Sequence, residues 1–151
     1  VKIKKGILNG YDFTYDLKSQ IIYWLEHNSS SFSFDIHKVR FDGEQRESLT
    51  ASTDYGSAYC MEFDPTSRNL FLGNSFNSQI EVVNVDNLQR SVIFSGNNQE
   101  TGVGRPMLIT LNLQDGEIYW IDDGYESVPK KIGAVKMDGT EARIVLKNDL
   151  N

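Results

Sequence analysis

Three segments of this 151-residue chain superimpose at a constant interval. The first runs Tyr11-Asp12-Phe13-Thr14-Tyr15-Asp16, then Leu17-Lys18-Ser19-Gln20, then Ile21-Ile22-Tyr23-Trp24-Leu25-Glu26. The second begins at Tyr59 and carries Phe71-Leu72-Gly73-Asn74; the third begins at Met107 and carries Tyr119-Trp120-Ile121-Asp122. Tyr23, Phe71 and Tyr119 stand 48 residues apart. A period of that size belongs to solenoids, propellers or arrays, in which each unit buries its apolar face against the next.

The pattern within a unit selects among these. Apolar residues alternate through Tyr11, Phe13 and Tyr15, through Met61 and Phe63, and through Met107, Ile109 and Leu111, the period of a half-buried strand. A four-residue polar turn follows. The second strand is nearly continuous in apolar and aromatic residues, as expected where both faces are covered. A third strand contains Ile36–Val39, Ile80–Val83 or Ile132–Val135 and ends in Phe41-Asp42-Gly43, Val85-Asp86-Asn87 or Met137-Asp138-Gly139. Asp-Gly and Asp-Asn supply the positive φ of a tight hairpin. A fourth strand covers Glu47–Leu49, Ser91–Phe94 or Arg143–Leu146. Four antiparallel strands per unit, with no amphipathic helical pattern, predict an all-β fold of propeller blades.

Charge and motifs narrow the function. Fifteen Lys and Arg against 21 Asp and Glu give a net charge of -6, which argues against a binder of phosphate backbones. The longest apolar run, Ile21–Leu25, is too short to span a bilayer. Val1-Lys2-Ile3-Lys4-Lys5 leads into no apolar h-region, so the expectation is a cytosolic chain or a mature or internal fragment. The single cysteine, Cys60, cannot form a disulfide within the chain and reads as a buried, inert thiol. Gly102-Val103-Gly104-Arg105 lacks the third glycine of a dinucleotide loop, and no nucleophile elbow, zincin helix or Cys-x-x-Cys pair occurs. The lysines at 2, 4, 5, 130 and 131 read as solvated strand edges.

Tyr23-Trp24-Leu25-Glu26 and Tyr119-Trp120-Ile121-Asp122, together with the third-strand turns Asp42-Gly43 and Asp138-Gly139, resemble the YWTD (class B) repeats of the low-density lipoprotein receptor family. The stretch from Pro129 to Thr140 is most similar to the large multiligand endocytic members, megalin among them. The resemblance covers about 135 residues and implies a YWTD-type β-propeller with six blades. In it, Tyr23, Trp24, Phe71, Tyr119, Trp120 and Asp122 are structural: the aromatics fill gaps between blades and the acid bonds neighbouring backbone. The departures are Phe71-Leu72-Gly73-Asn74 in the middle unit and Leu25 and Ile121 in place of Thr.

This chain then holds about three of six blades, at 11–50, 57–95 and 107–147. Residues 1–10 read as the end of a preceding blade or a closing strand, and 148–151 as the start of the next connection. Half a ring leaves two apolar blade faces open, so the remaining blades or a partner are expected against them.

Asn28-Ser29-Ser30 is a glycosylation sequon in a Ser-rich loop. His27 and His37 flank that loop and are candidates for pH sensing, since histidine gains charge between neutral and endosomal pH. The resemblance implies a ligand-binding module that takes part in acid-dependent ligand release during receptor-mediated endocytosis. It implies protein ligands, a receptor chaperone and flanking EGF-like modules as partners, an extracellular or endosomal location, and calcium in neighbouring modules. The segment itself is expected to have no cofactor and no catalytic site. A matrix or Wnt co-receptor propeller is the alternative; a metal-dependent propeller hydrolase would need a coordination set that two histidines and half a ring do not supply.

Overall fold

A computed structural model of the chain describes residues 9–28, 33–49, 58–96 and 100–147. The segments 1–8, 29–32 and 148–151 lie outside the described residues, and with them the expectations for the preceding blade, the serines of the sequon and the next connection. All twelve elements among the described residues are strands. They form three four-stranded sheets.

Blade one comprises β1 (Gly10–Asp16), β2 (Ile21–Asn28), β3 (Ser33–Arg40) and β4 (Glu47–Ser48). Blade two comprises β5 (Ala58–Asp64), β6 (Asn69–Asn74), β7 (Gln79–Asn84) and β8 (Arg90–Ser95). Blade three comprises β9 (Pro106–Asn112), β10 (Glu117–Asp122), β11 (Lys131–Lys136) and β12 (Arg143–Lys147). Each sheet is an antiparallel meander in chain order. The first strands β1, β5 and β9 lie side by side. The 48-residue period is therefore the spacing of successive blades.

The turns explain the register. Gln20, Arg68 and Gly116, 48 residues apart, close the first hairpins with φ of 57°, 64° and 66°. Gly43 and Gly139 take φ of 80° and 85° in the Asp-Gly turns. In blade two the left-handed residue is Leu88 (φ 60°), one position beyond the expected Asp-Asn pair, because Asn84 and Asn87 side chains hold the backbone amides around the turn.

Two cores lie between the blades. The trailing face of blade one, with Tyr23, Leu25 and Ile36, packs on the leading face of blade two, with Met61, Phe63, Leu70 and Leu72. The trailing face of blade two, with Cys60, Phe71 and Ile80, packs on Ile109, Ile118 and Trp120 of blade three. Tyr23 and Phe63 meet at 5.2 Å between ring centroids. Arg68 staples the first interface from the turn end, pairing with buried Asp16 of blade one and with Asp86 of its own blade.

The departures in the middle unit have steric reasons. Phe71 and Leu72 are both buried, each packed into one of the two blade interfaces in place of the tyrosine and tryptophan of the other units. A Cβ on Gly73 would stand 2.5 Å from Cys60 Sγ and 3.0 Å from Pro106 Cβ, so a side chain like Leu25 or Ile121 does not fit there. Cys60 is fully buried, and burial pushes its thiol up to about 12.

Candidate interaction surface

At the start of every first strand the pairing slips by one residue. Gly10 pairs Glu26 while Asp12 pairs Leu25; Ala58 pairs Asn74 while Cys60 pairs Gly73; Pro106 pairs Asp122 while Leu108 pairs Ile121. The residues left over are Tyr11, Tyr59 and Met107, again 48 apart. A bulge re-aims the side chain it carries. Tyr11 is 52% and Met107 41% exposed, at the end of the arc where the loops after the second strands emerge.

These side chains join the loops into one aromatic rim. Tyr11 packs edge-on against Tyr59 (5.5 Å) and Phe34 (4.7 Å), and stands 6.4 Å from the His27 ring. Between blades two and three, Tyr59, Phe76, Arg105, Met107, Asp123 and Tyr125 line an open cavity of about 530 Å³. Phe76 is 77% exposed. The Arg105 guanidinium lies 5.0 Å over the Tyr125 ring. Among the described residues Arg105 is the one arginine with no carboxylate partner: Arg40, Arg46, Arg68, Arg90 and Arg143 each pair with an Asp or Glu.

The tetrapeptide acids hold this rim in place. Trp24 Nε1 donates to Glu26 Oε2 and Trp120 Nε1 to Asp122 Oδ2, both at 3.0 Å. Asp122 also accepts the backbone N–H groups of Gly104, Arg105 and Gly124 at 2.8–2.9 Å. Burial alone would raise the Asp122 carboxyl, but these donors outweigh it and hold it below the ordinary carboxylate range. One carboxylate thus fixes the strand entry that carries Arg105 and the loop that carries Tyr125. In blade two, where Leu72 has no side-chain N–H to offer, the acid is replaced by Asn74. Its amide donates to buried Glu81 and its oxygen accepts from the N–H groups of Phe76 and Asn77, setting the Phe76 loop.

Lys131 corrects an expectation. It is not a solvated edge residue: its side chain is fully buried and its ammonium lies 3.4 Å from Asp122. The edge reading failed because β11 is the third of four strands, covered by β12. Lys130 is exposed and pairs with Asp123.

The other candidates are dispersed. His37 stacks on Trp24 (5.1 Å) and stands 3.7 Å from Glu26, with Arg46 over the same indole. Burial holds His37 below the usual histidine value, against the pull of Glu26. His27 contacts Phe34 and Tyr11 on the opposite face of the blade, so the two histidines do not form one cluster. Asn28 Nδ2 donates to Asp35 at 3.0 Å, so the sequon amide is engaged before any glycan is attached. Among the described residues no group of three or more His, Cys, Asp or Glu is placed to hold a metal ion, and no helix is long and apolar enough to cross a membrane. Sequence reasoning did not pick out Tyr59, Phe76, Arg105, Met107 or Tyr125 as surface residues. The phased position of Tyr11, Tyr59 and Met107 was the available signal.

Three meander sheets leaning on one another through their faces define a partial β-propeller. No family model matches the chain. Over 94% of its length it is similar to a chain in the crystal structure of a nidogen/laminin complex, with 26% identity and a TM-score of 0.76, spanning 49% of that chain. It also matches a putative TolB from Agrobacterium tumefaciens over 93% of its length and 50% of that chain (17% identity, TM-score 0.67). TolB from Acinetobacter baumannii matches over 97% of this chain and 34% of the other (11% identity, TM-score 0.70). The last two likenesses show the fold alone. The chain spans half or less of the length of each of these structures.

Proposed function

We propose that this chain is part of the extracellular β-propeller of a multiligand endocytic receptor and that it binds protein ligands through the aromatic rim. The observation that supports the reading is the repeated bulge, which turns Tyr11 and Met107 outward, with half-buried Tyr59 between them, beside an arginine with no carboxylate partner. Aromatic residues, Met and Arg are the types enriched where proteins meet, and rigid strands beneath variable loops keep them preorganised. A net charge of -6 favours encounter with basic ligands, including a lysine-bearing receptor chaperone, while Arg105 takes a ligand carboxylate or carbonyl. Further blades of the same kind complete the ring, EGF-like modules with their calcium flank it, and Asn28 carries a glycan. The segment needs no cofactor and performs no catalysis. Acid release runs through His37: once protonated it competes for the Glu26 carboxylate that Trp24 and Arg46 hold at neutral pH, and so loosens that stack.

The likeness to a chain of the nidogen/laminin complex favours a second reading, a matrix-type or co-receptor interaction propeller that does not release its ligand in acid. Surface plasmon resonance with two probes, a lysine-rich peptide and laminin, at pH 7.4 and 5.5 decides between them. Peptide binding at pH 7.4 that is lost at pH 5.5, and already lost at pH 7.4 in Phe76→Ala, supports the receptor. Laminin binding unchanged by acid supports the second reading. Binding of neither probe overturns both.

A further inference from the structure

Tyr125 stands apart from the other tyrosines among the described residues. Tyr11, Tyr15, Tyr23, Tyr59 and Tyr119 each lie within a strand. Tyr125 lies in the loop between β10 and β11, at the base of a hairpin closed by two backbone hydrogen bonds with Val128, of 2.9 and 3.0 Å. It is 42% exposed. Its ring lies beneath the Arg105 guanidinium, and among the described residues no hydrogen bond engages its hydroxyl, whereas the Tyr119 hydroxyl donates to Glu117. Asp122 and Asp123 precede it and Glu126 follows it directly. Asp123, Tyr125, Glu126 and Ser127 are all exposed. The Asp123 carboxylate pairs with exposed Lys130, a contact that solvent weakens.

We infer that Tyr125 is the acceptor of a sulfate ester, added while the chain passes through the secretory pathway; the inference rests on the extracellular course proposed above. The donor is an activated sulfate nucleotide, a mixed phosphate–sulfate anhydride. The phenol Oη attacks its sulfur, the bond from sulfur to the bridging phosphate oxygen breaks, the nucleotide leaves with that oxygen, and the phenolic proton passes to a base of the transferase. A transferase that reads acidic acceptors does so through charge complementarity, and Asp123 and Glu126 present carboxylates on both sides of the phenol. Its cleft takes the acceptor as an extended segment. Opening the 125–128 hairpin breaks two backbone bonds and leaves every strand ladder intact, which is a local opening and not the unfolding of a blade. A tyrosine inside β1 would have to leave its ladder instead. The ester also changes the charge of the rim. Arg105 has no carboxylate partner and Asp123 is balanced by Lys130, so the cavity between blades two and three carries one unbalanced positive charge. A sulfate on Tyr125 gives the Arg105 guanidinium an anion on the ring over which it already lies. The modified rim then favours a basic ligand segment more than the unmodified rim does.

Sulfate transfer to the purified 151-residue chain tests it. A tyrosylprotein sulfotransferase and the radiolabelled donor nucleotide are supplied, so the outcome does not depend on where the chain resides. One sulfate per chain is expected, recovered in the proteolytic peptide that contains Tyr125. Tyr125→Phe, which keeps a ring beneath Arg105, is expected to remove the label, and Asp123→Asn with Glu126→Gln to slow the transfer severalfold. No label on the chain overturns the inference; so does label retained in Tyr125→Phe, and so does a rate that the double carboxylate substitution leaves unchanged. The sulfated chain is expected to bind the lysine-rich peptide more tightly than the unmodified chain at pH 7.4, by a margin that shrinks as salt rises. Equal or weaker binding overturns the effect on the rim. Binding of the peptide to neither form counts against the proposed ligand, and the label alone then decides the site.

Discussion

The Lys131 ammonium lies 3.4 Å from the Asp122 carboxylate, and neither side chain reaches solvent. The two partners are not equivalent. Asp122 has four N–H donors besides Lys131, whereas burial depresses Lys131 against the pull of Asp122, its one carboxylate partner in this pair. Removing one member of a buried pair costs about 3–5 kcal/mol when the charge left behind is uncompensated. Asp122→Ala is therefore expected to cost that much and to release both Arg105 and Tyr125. Lys131→Met, which leaves the carboxylate its N–H donors, is expected to cost less than half as much. Urea unfolding midpoints of the two variants check the order; equal losses would contradict it.

Two glycines in equivalent turns predict different outcomes for the same substitution. Gly43 and Gly139 both have φ near the left-handed region, which costs an alanine roughly 1–2 kcal/mol. A Cβ on Gly43 meets nothing within 4 Å, but one on Gly139 would lie 2.3 Å from the Ile93 carbonyl oxygen of the neighbouring blade. Gly43→Ala should show the backbone cost alone. Gly139→Ala should lose more, because the turn must lift off β8; a thermal melt of each resolves the difference.

Acidification is expected to weaken the fold through His37. Its value in the folded chain lies below the ordinary 6.5, with burial the main cause. The stability this contributes is complete above pH 6.5. As pH falls below 6.5 the unfolded chain takes up the proton first, so stability declines, by less than about 1.4 kcal/mol per pH unit, until the depressed folded value is reached. The lowered carboxylates Asp16 and Asp122 act below pH 3.8 and do not enter this window. His37→Phe, which keeps the stack on Trp24, should flatten the stability profile between pH 7 and 5. An unchanged slope would show that the acid sensitivity lies elsewhere.

The blades were legible because a strand writes its burial into alternate residues and a repeat writes it again. Tyr23, Phe71 and Tyr119 set the phase, and Asp42-Gly43 and Asp138-Gly139 marked turns whose φ values are indeed positive. What escaped notice depends on where a strand lies in its sheet or on a one-residue slip. Lys131 looked like an edge lysine, since sequence does not tell that β12 covers it. Tyr59 and Met107 looked like members of an alternating strand, since a bulge changes direction without changing composition. Arg105 and Tyr125 are brought together by Asp122 hydrogen bonds from two segments about twenty residues apart, a closure that no local pattern carries.

Hydrogen–deuterium exchange of the chain with laminin or the lysine-rich peptide bound tests the central claim most directly. Protection is expected at the amides around Tyr59, Phe76, Arg105–Met107 and Asp123–Tyr125, with little change at the opposite turns 17–20, 65–68 and 113–116. Protection confined to those turns, with the rim unaffected, would contradict the assignment of the bulged aromatic rim as the ligand surface.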